Sequence, residues 1–242
     1  MSSTLARRLA AEFVGTSVFL LVGAGSAVGA RQAGISDPGV SLLTAALANG
    51  LGLAVAVTAT LDISGGSLNP AITMALYASG KLRGRDVVPY ILAEVAGAVV
   101  GASVLVAAVP QSIGQAVNWG SPTLAADIGV GQGILLEFLL TLFLAVAVFY
   151  TAVSAEAPRV GGFGIGTAVM ADVLLGGAFT GAAMNPARAM GPMMAGLWFP
   201  GYWYIYWIGP CAGAVLVGLL YRFIGEANSS RGAQINTPGA AD

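Results

Sequence analysis

Six stretches of about 20 consecutive apolar residues, near 9–30, 40–61, 86–109, 131–154, 161–179 and 202–224, leave this chain few choices of solvent. Each is long enough to cross a hydrocarbon core of about 30 Å as a helix. Charge is correspondingly scarce: the 242 residues include ten basic and eleven acidic side chains, 9% charged in all. A soluble domain carries roughly a quarter. The sequence therefore predicts an all-α integral membrane protein whose surrounding medium is the lipid bilayer. The same scarcity excludes other classes. Net charge is −1 and no basic cluster exceeds Lys81, Arg83 and Arg85, so no nucleic acid partner is expected. There is no histidine and one cysteine, Cys211, so no histidine or thiolate metal site, no disulfide and no cofactor is expected. No nucleophile, base and oxyanion-donor set can be assembled for an enzyme. The first stretch has no small-residue cleavage site and is read as a retained helix.

Basic residues set the orientation. Arg7, Arg8, Lys81, Arg83, Arg85, Arg159, Arg222 and Arg231 all fall on one side of six spans, with only Arg31 and Arg188 opposite. That asymmetry puts both termini in the cytoplasm. The aromatic residues Trp198, Phe199, Tyr202, Trp203, Tyr204, Tyr206 and Trp207 crowd the start of the sixth span and read as an interfacial anchor belt. Thirty-five glycines permit close helix packing where the hydrophobic effect cannot drive it. The polar segment 226–242 is expected to be a disordered cytoplasmic tail.

Two segments match each other: Ser64-Gly65-Gly66-Ser67-Leu68-Asn69-Pro70-Ala71 and Thr180-Gly181-Ala182-Ala183-Met184-Asn185-Pro186-Ala187. Each follows the second span of its own three-span half, and each half opens with a Glu-Phe pair, Glu12-Phe13 and Glu137-Phe138. The chain reads as a duplication, with repeats over 1–125 and 126–225. An odd number of spans per half turns the second copy over, giving an inverted repeat. In each motif asparagine can cap a helix and Pro70 or Pro186 takes the first helical position, where a missing N–H costs nothing. Asn69 to Ser79 is too short to span. Two such re-entrant half-helices could meet N-terminus to N-terminus at mid-membrane and form a broken seventh span. Their glycine-rich lead-in segments would be tolerable there only when buried in protein or lining a water-filled cavity. The Asn69 and Asn185 carboxamides and two positive helix ends would then offer donors to a passing oxygen while opposing cations and protons.

With these paired boxes the chain resembles the aquaporin, or major intrinsic protein, family over about residues 6–225. The resemblance implies six transmembrane helices and two half-helices in a right-handed bundle. It implies a passive channel for water and other small neutral solutes, and a homotetramer with one pore per protomer, in the cell membrane. It also implies an outer selectivity filter at Asn49, Val173, Ala182 and Arg188, counted from the boxes. Strict water channels of the family carry a bulky aromatic and a histidine at the first two of these positions, so a wider, less polar constriction is expected. Ammonia, urea, glycerol, hydrogen peroxide or metalloid acids then join water as candidate solutes. Glycerol-facilitating relatives usually place an acid where this chain has Ala189, and Tyr206-Trp207 resembles the water-channel branch. The string Gly176 to Arg188 is similar to plant tonoplast intrinsic proteins.

Intramembrane acids are costly and call for partners. In the family the residues matching Glu12 and Glu137 accept hydrogen bonds from the re-entrant loops, and that half-helix support is expected here. Glu94 reads as structural, and Asp172 either pairs with a pore group or bonds a neighbouring helix. Ser67 departs from the family's usual histidine before the first box. Two other classes share the pattern: secondary transporters, which use inverted repeats but need titratable groups that this pathway lacks, and structural junction proteins of the same fold.

Overall fold

The structure, a computed structural model, describes residues 4–235. The first half contains α1 (Leu5–Gln32), α2 (Pro38–Ser64), the short α3 (Pro70–Ala78) and α4 (Gly84–Ala108). A connection with the small helix α5 (Gln111–Gln115) and a single 3-10 turn at Asn118–Gly120 leads to the second half. There follow α6 (Val130–Val148), extended by one π turn at Phe149–Val153, then α7 (Phe163–Thr180), α8 (Pro186–Ala195) and α9 (Ile205–Ile235). Six of these helices are long and apolar enough to cross a membrane. The remaining two of comparable place in each half, α3 and α8, have 9 and 10 residues and reach only part of the way.

Local chemistry explains the boundaries. Asp37 caps α2 by accepting the Val40 N–H at 2.8 Å, with Pro38 at the first helical position. α2 and α7 both stop at a left-handed glycine, Gly65 (φ 95°) and Gly181 (φ 80°), each donating its N–H back into the last turn.

The helices pair in matched sets. α1 packs on α2 and α4, α6 packs on α7 and α9, and α2 and α7 join the halves. Each short helix lies against the last long helix of the opposite half, α3 on α9 and α8 on α4. Glycine permits the close approaches. A Cβ on Gly97 would stand 2.3 Å from the Phe13 carbonyl oxygen, and one on Gly213 would stand 2.3 Å from that of Phe138. Where α2 crosses α7, Gly50 and Gly166 each face the other's carbonyl, at 2.5 and 2.4 Å from a hypothetical Cβ. The core around the half-helices is built of Phe19, Leu20, Leu68, Ile72, Leu140, Phe149 and Met184, while Val14, Val18, Leu47, Leu51 and Leu175 face outward, as lipid solvation requires.

Three expectations change. The fifth span starts at Phe163 because Gly161, with φ 56°, is still in a turn. The sixth starts at Ile205, after the turns that hold Tyr202 to Tyr204. α9 runs on to Ile235, so the first ten residues of the supposed disordered tail, 226–235, continue the helix; the nearest proline, Pro238, comes only later. Residues 236–242 of that tail lie outside the described residues.

Gly97→Ala should destabilise the protein by about 1–3 kcal/mol, since backbone must move to admit the methyl group. Gly29→Ala, with nothing within 4 Å of the new Cβ, should not. Thermal unfolding in detergent, followed by loss of the monodisperse size-exclusion peak, compares the two.

Candidate functional site

The two matched segments meet at the centre of the bundle, and each is held by a carboxylate of its own half. Glu12 Oε1 accepts the Ser67 N–H at 3.2 Å and Glu12 Oε2 the Leu68 N–H at 2.7 Å. In the other half Glu137 Oε1 accepts the Ala183 N–H at 2.9 Å and Glu137 Oε2 the Met184 N–H at 2.7 Å. Thr180 Oγ1 adds a further donor to Glu137 at 2.7 Å. Successive N–H groups can converge on one carboxylate because the chain alternates into left-handed geometry at Gly66 (φ 58°) and Leu68 (φ 47°), and at Ala182 (φ 44°) and Met184 (φ 51°). For the three residues that are not glycine this backbone is strained by about 1–3 kcal/mol each, and the buried carboxylates hold it in place. Both glutamates are wholly buried.

Two tyrosines complete the frame. Tyr90 Oη donates to the Ser64 carbonyl at 3.0 Å and Tyr206 Oη to the Thr180 carbonyl at 2.9 Å, the last carbonyls of α2 and α7. Sequence reading placed Tyr206 in the aromatic belt, yet it is fully buried. The spacing could have shown this: Tyr90 and Tyr206 are as far apart as Asn69 and Asn185.

Asn69 and Asn185 cap α3 and α8. Asn69 Oδ1 accepts the Ala71 N–H at 2.9 Å; Asn185 Oδ1 accepts those of Ala187 at 2.9 Å and Arg188 at 3.2 Å. Their amide nitrogens cross over. Asn69 Nδ2 donates to the Met184 carbonyl at 2.9 Å, and Asn185 Nδ2 donates to the Leu68 carbonyl at 2.8 Å. A carboxamide nitrogen has two hydrogens. One from each asparagine is thus committed to the opposite loop, and one remains for a guest.

Beside them is a cavity of about 10 Å³, room for about one water, lined by Phe19, Asn49, Leu53, Asn69, Leu144, Val169, Ala182, Ala183, Met184, Asn185 and Arg188. Three of the four filter positions reach it. Val173 is not among the lining residues, although it is buried on the same face of α7 as Val169, one turn away, which is. The width expected from small residues at 49 and 173 is not present as open volume here. Gly23 has no side chain, so Asn49 packs against α1, 2.5 Å from where a Cβ on residue 23 would be, and its Nδ2 turns back to the Ala45 carbonyl at 2.9 Å. The Arg188 Nη1 is buried without a protein partner, a free donor beside the cavity. Among the described residues the Asp172 Oδ2 is buried without a partner. Below the first segment a larger cavity, about 420 Å³, is lined by Arg8, Asp62, Ser64, Ser67, Lys81 and Ile165 among others.

The apolar wall went unread in the sequence, although a signal existed. Phe19 and Leu144 each lie seven residues, two helical turns, beyond the supporting glutamate of their half, and Leu53 and Val169 are separated by the same interval as the two boxes.

The description of the major intrinsic protein family matches residues 1–221. Aquaporin TIP4-4 of Zea mays is 40% identical over 223 residues, covering 89% of this chain and 85% of that protein. Aquaporin-8 of Mus musculus is 34% identical over 220 residues, covering 88% and 80%. The solved structure of the aquaglyceroporin from Plasmodium falciparum superimposes with a TM-score of 0.79 at 20% identity, covering 94% of this chain and 99% of that one, a likeness of fold.

Glu137→Gln replaces one acceptor oxygen by a donor facing buried N–H groups. It should cost about 1–3 kcal/mol through an unsatisfied donor, read as a lower unfolding temperature in detergent, whereas Asp172→Asn, which breaks no bond, should leave that temperature unchanged.

Proposed function

The chain belongs to the major intrinsic protein family, and on that premise we propose that it is a passive channel for water and other small uncharged solutes that passes them one at a time between the two asparagines. The observation that carries this reading is the crossed pair of carboxamides: each has one hydrogen fixed on the opposite loop and one free beside a cavity about the size of a water. A water oxygen accepting from both would have its lone pairs engaged at the point where two positive helix ends meet, which interrupts a proton-conducting chain of waters and repels cations.

In this reading Asn69 and Asn185 form the central constriction, and Asn49, Val173, Ala182 and Arg188 the outer filter, with Val173 one turn from Val169 on the same face of α7. Glu12, Glu137, Pro70 and Pro186 support the half-helices. Ammonia and hydrogen peroxide are small enough for such a cavity, while urea, glycerol and metalloid acids need Asn49 or the Arg188 guanidinium to move. The expectation of breadth thus becomes one of mobility at two side chains.

The repeat boundary we propose, after residue 125, falls in the helix-free segment ahead of α6. The distribution of basic residues supports cytoplasmic termini, and we place the protein in the cell membrane as a homotetramer, with the outward valines and leucines of α1 and α2 available to neighbouring protomers.

Stopped-flow light scattering on proteoliposomes tests the proposal. Water flux well above the lipid baseline is expected, with slower swelling in urea and glycerol; flux at the baseline would sink the channel reading and leave a transporter or junction protein. Arg188→Val should raise urea and glycerol flux several-fold, and unchanged selectivity would remove Arg188 from the filter. Asn185→Asp should admit protons or cations, read with a pH-sensitive dye inside the vesicles.

A further inference from the structure

The first half contains a buried polar cluster that the second half lacks. Ser67, Thr73 and Glu94 correspond, at the interval separating Asn69 from Asn185, to Ala183, Ala189 and Pro210. Glu12, Thr73 and Glu94 have no exposed surface, and Ser67 has 7%.

The Ser67 hydroxyl lies 3.0 Å from Glu12 Oε2, 2.7 Å from Glu94 Oε1 and 3.0 Å from the Thr73 hydroxyl, which itself lies 2.6 Å from Glu94 Oε1. All four separations are hydrogen-bonding distances. Two hydroxyls supply two hydrogens, and a carboxylate supplies none. Four contacts outnumber those two hydrogens, and a further hydrogen must sit on a carboxyl group. Glu12 is the wrong host, because both of its oxygens already accept backbone N–H groups, which stabilise the ionised form. Glu94 Oε2, by contrast, is buried without any partner. A neutral carbonyl oxygen tolerates that far better than half of a carboxylate does.

The surroundings offer no cation to balance a second charge. On α1 Arg8 is engaged by Asp86 at 3.0 Å, on α8 Arg188 lines the central cavity, and α3 presents only Thr73. On α4 itself the neighbouring ionisable groups, Asp86 and Tyr90, both contact Arg8. Among the described residues neither Glu12 nor Glu94 has an ion-pair partner.

We propose that Glu94 is a positioning residue for the first Asn-Pro-Ala segment and works as a neutral carboxylic acid. It accepts from Thr73 and donates to Ser67, which donates to Glu12. This relay ties α4, the half-helix α3 and the loop before Asn69 to α1. Ser67 and Glu94 are then one unit: the hydroxyl is useful because the acid supplies the hydrogen that it passes on.

Infrared difference spectroscopy on the reconstituted protein at neutral pH, wild type minus Glu94→Gln, should contain the carbonyl stretch of a protonated carboxyl group, shifting in D₂O. In water-flux assays Glu94→Gln, which keeps a neutral donor and acceptor, should retain most of the wild-type rate, while Glu94→Ala and Ser67→Ala should lose about fivefold, the equivalent of one hydrogen bond. A difference spectrum without the protonated band, or a Gln variant that falls as far as the Ala variant, overturns the proposal. A wild type without flux would refute the channel reading instead, and the infrared result would still decide this one.

Discussion

A chain that abandons helical geometry at the middle of a bilayer must find a partner for every N–H and C=O it exposes, because no lipid atom will accept or donate. Two segments of this protein do so, and the remaining architecture answers that demand. Glu12 and Glu137 collect the N–H groups of the residues before each asparagine, Tyr90 and Tyr206 cover the last carbonyls of α2 and α7, and the asparagines close the carbonyls of the opposite loop. Burying a carboxylate in an apolar bundle is costly by itself. It becomes favourable here because each one satisfies two backbone donors that have no other partner within reach.

Much of this is legible in the sequence. Six spans, their inversion and the two half-helices followed from run length, span parity and a duplicated eight-residue motif. Element ends were harder to place. Glycine-rich 161–162 and aromatic 202–204 are apolar enough for a span yet lie in turns, since hydropathy records burial in lipid and is silent on backbone geometry. At the site, the repeated motif pointed to the asparagines, and the matched Glu-Phe pairs together with the family resemblance pointed to the glutamates. It did not identify the hydrogen-bond partners, because the Met184 and Leu68 carbonyls are generic backbone atoms with no residue-type signature. Val173 shares a face of α7 with Val169, yet only Val169 borders the cavity, because counting along a helix fixes height and face and not how far open space extends. Nor could side-chain size alone give the cavity's volume, because Gly23 on another helix lets Asn49 settle where a bulkier neighbour would have held it away.

The two halves are near copies in backbone and unequal in chemistry. The positive-φ residues, the carboxylate contacts and the tyrosine hydroxyls repeat almost ångström for ångström. The surroundings of Ser67 do not, being hydroxyl and carboxyl where the second half offers alanine and proline. Symmetry is retained where backbone groups demand it and relaxed where only side chains meet.

The crossed amide bonds also bear on how the protein is made. The donor on Asn69 finds its acceptor on Met184, 115 residues later in the chain. At a synthesis rate of about 5–20 residues per second that partner emerges roughly 6–23 s after the first loop. Until then the first loop has its carboxylate anchor but nothing for its asparagine to hold, and the Leu68 carbonyl is bare. Membrane insertion of the first three spans therefore yields an unfinished half, and the centre of the molecule sets only when the last spans arrive.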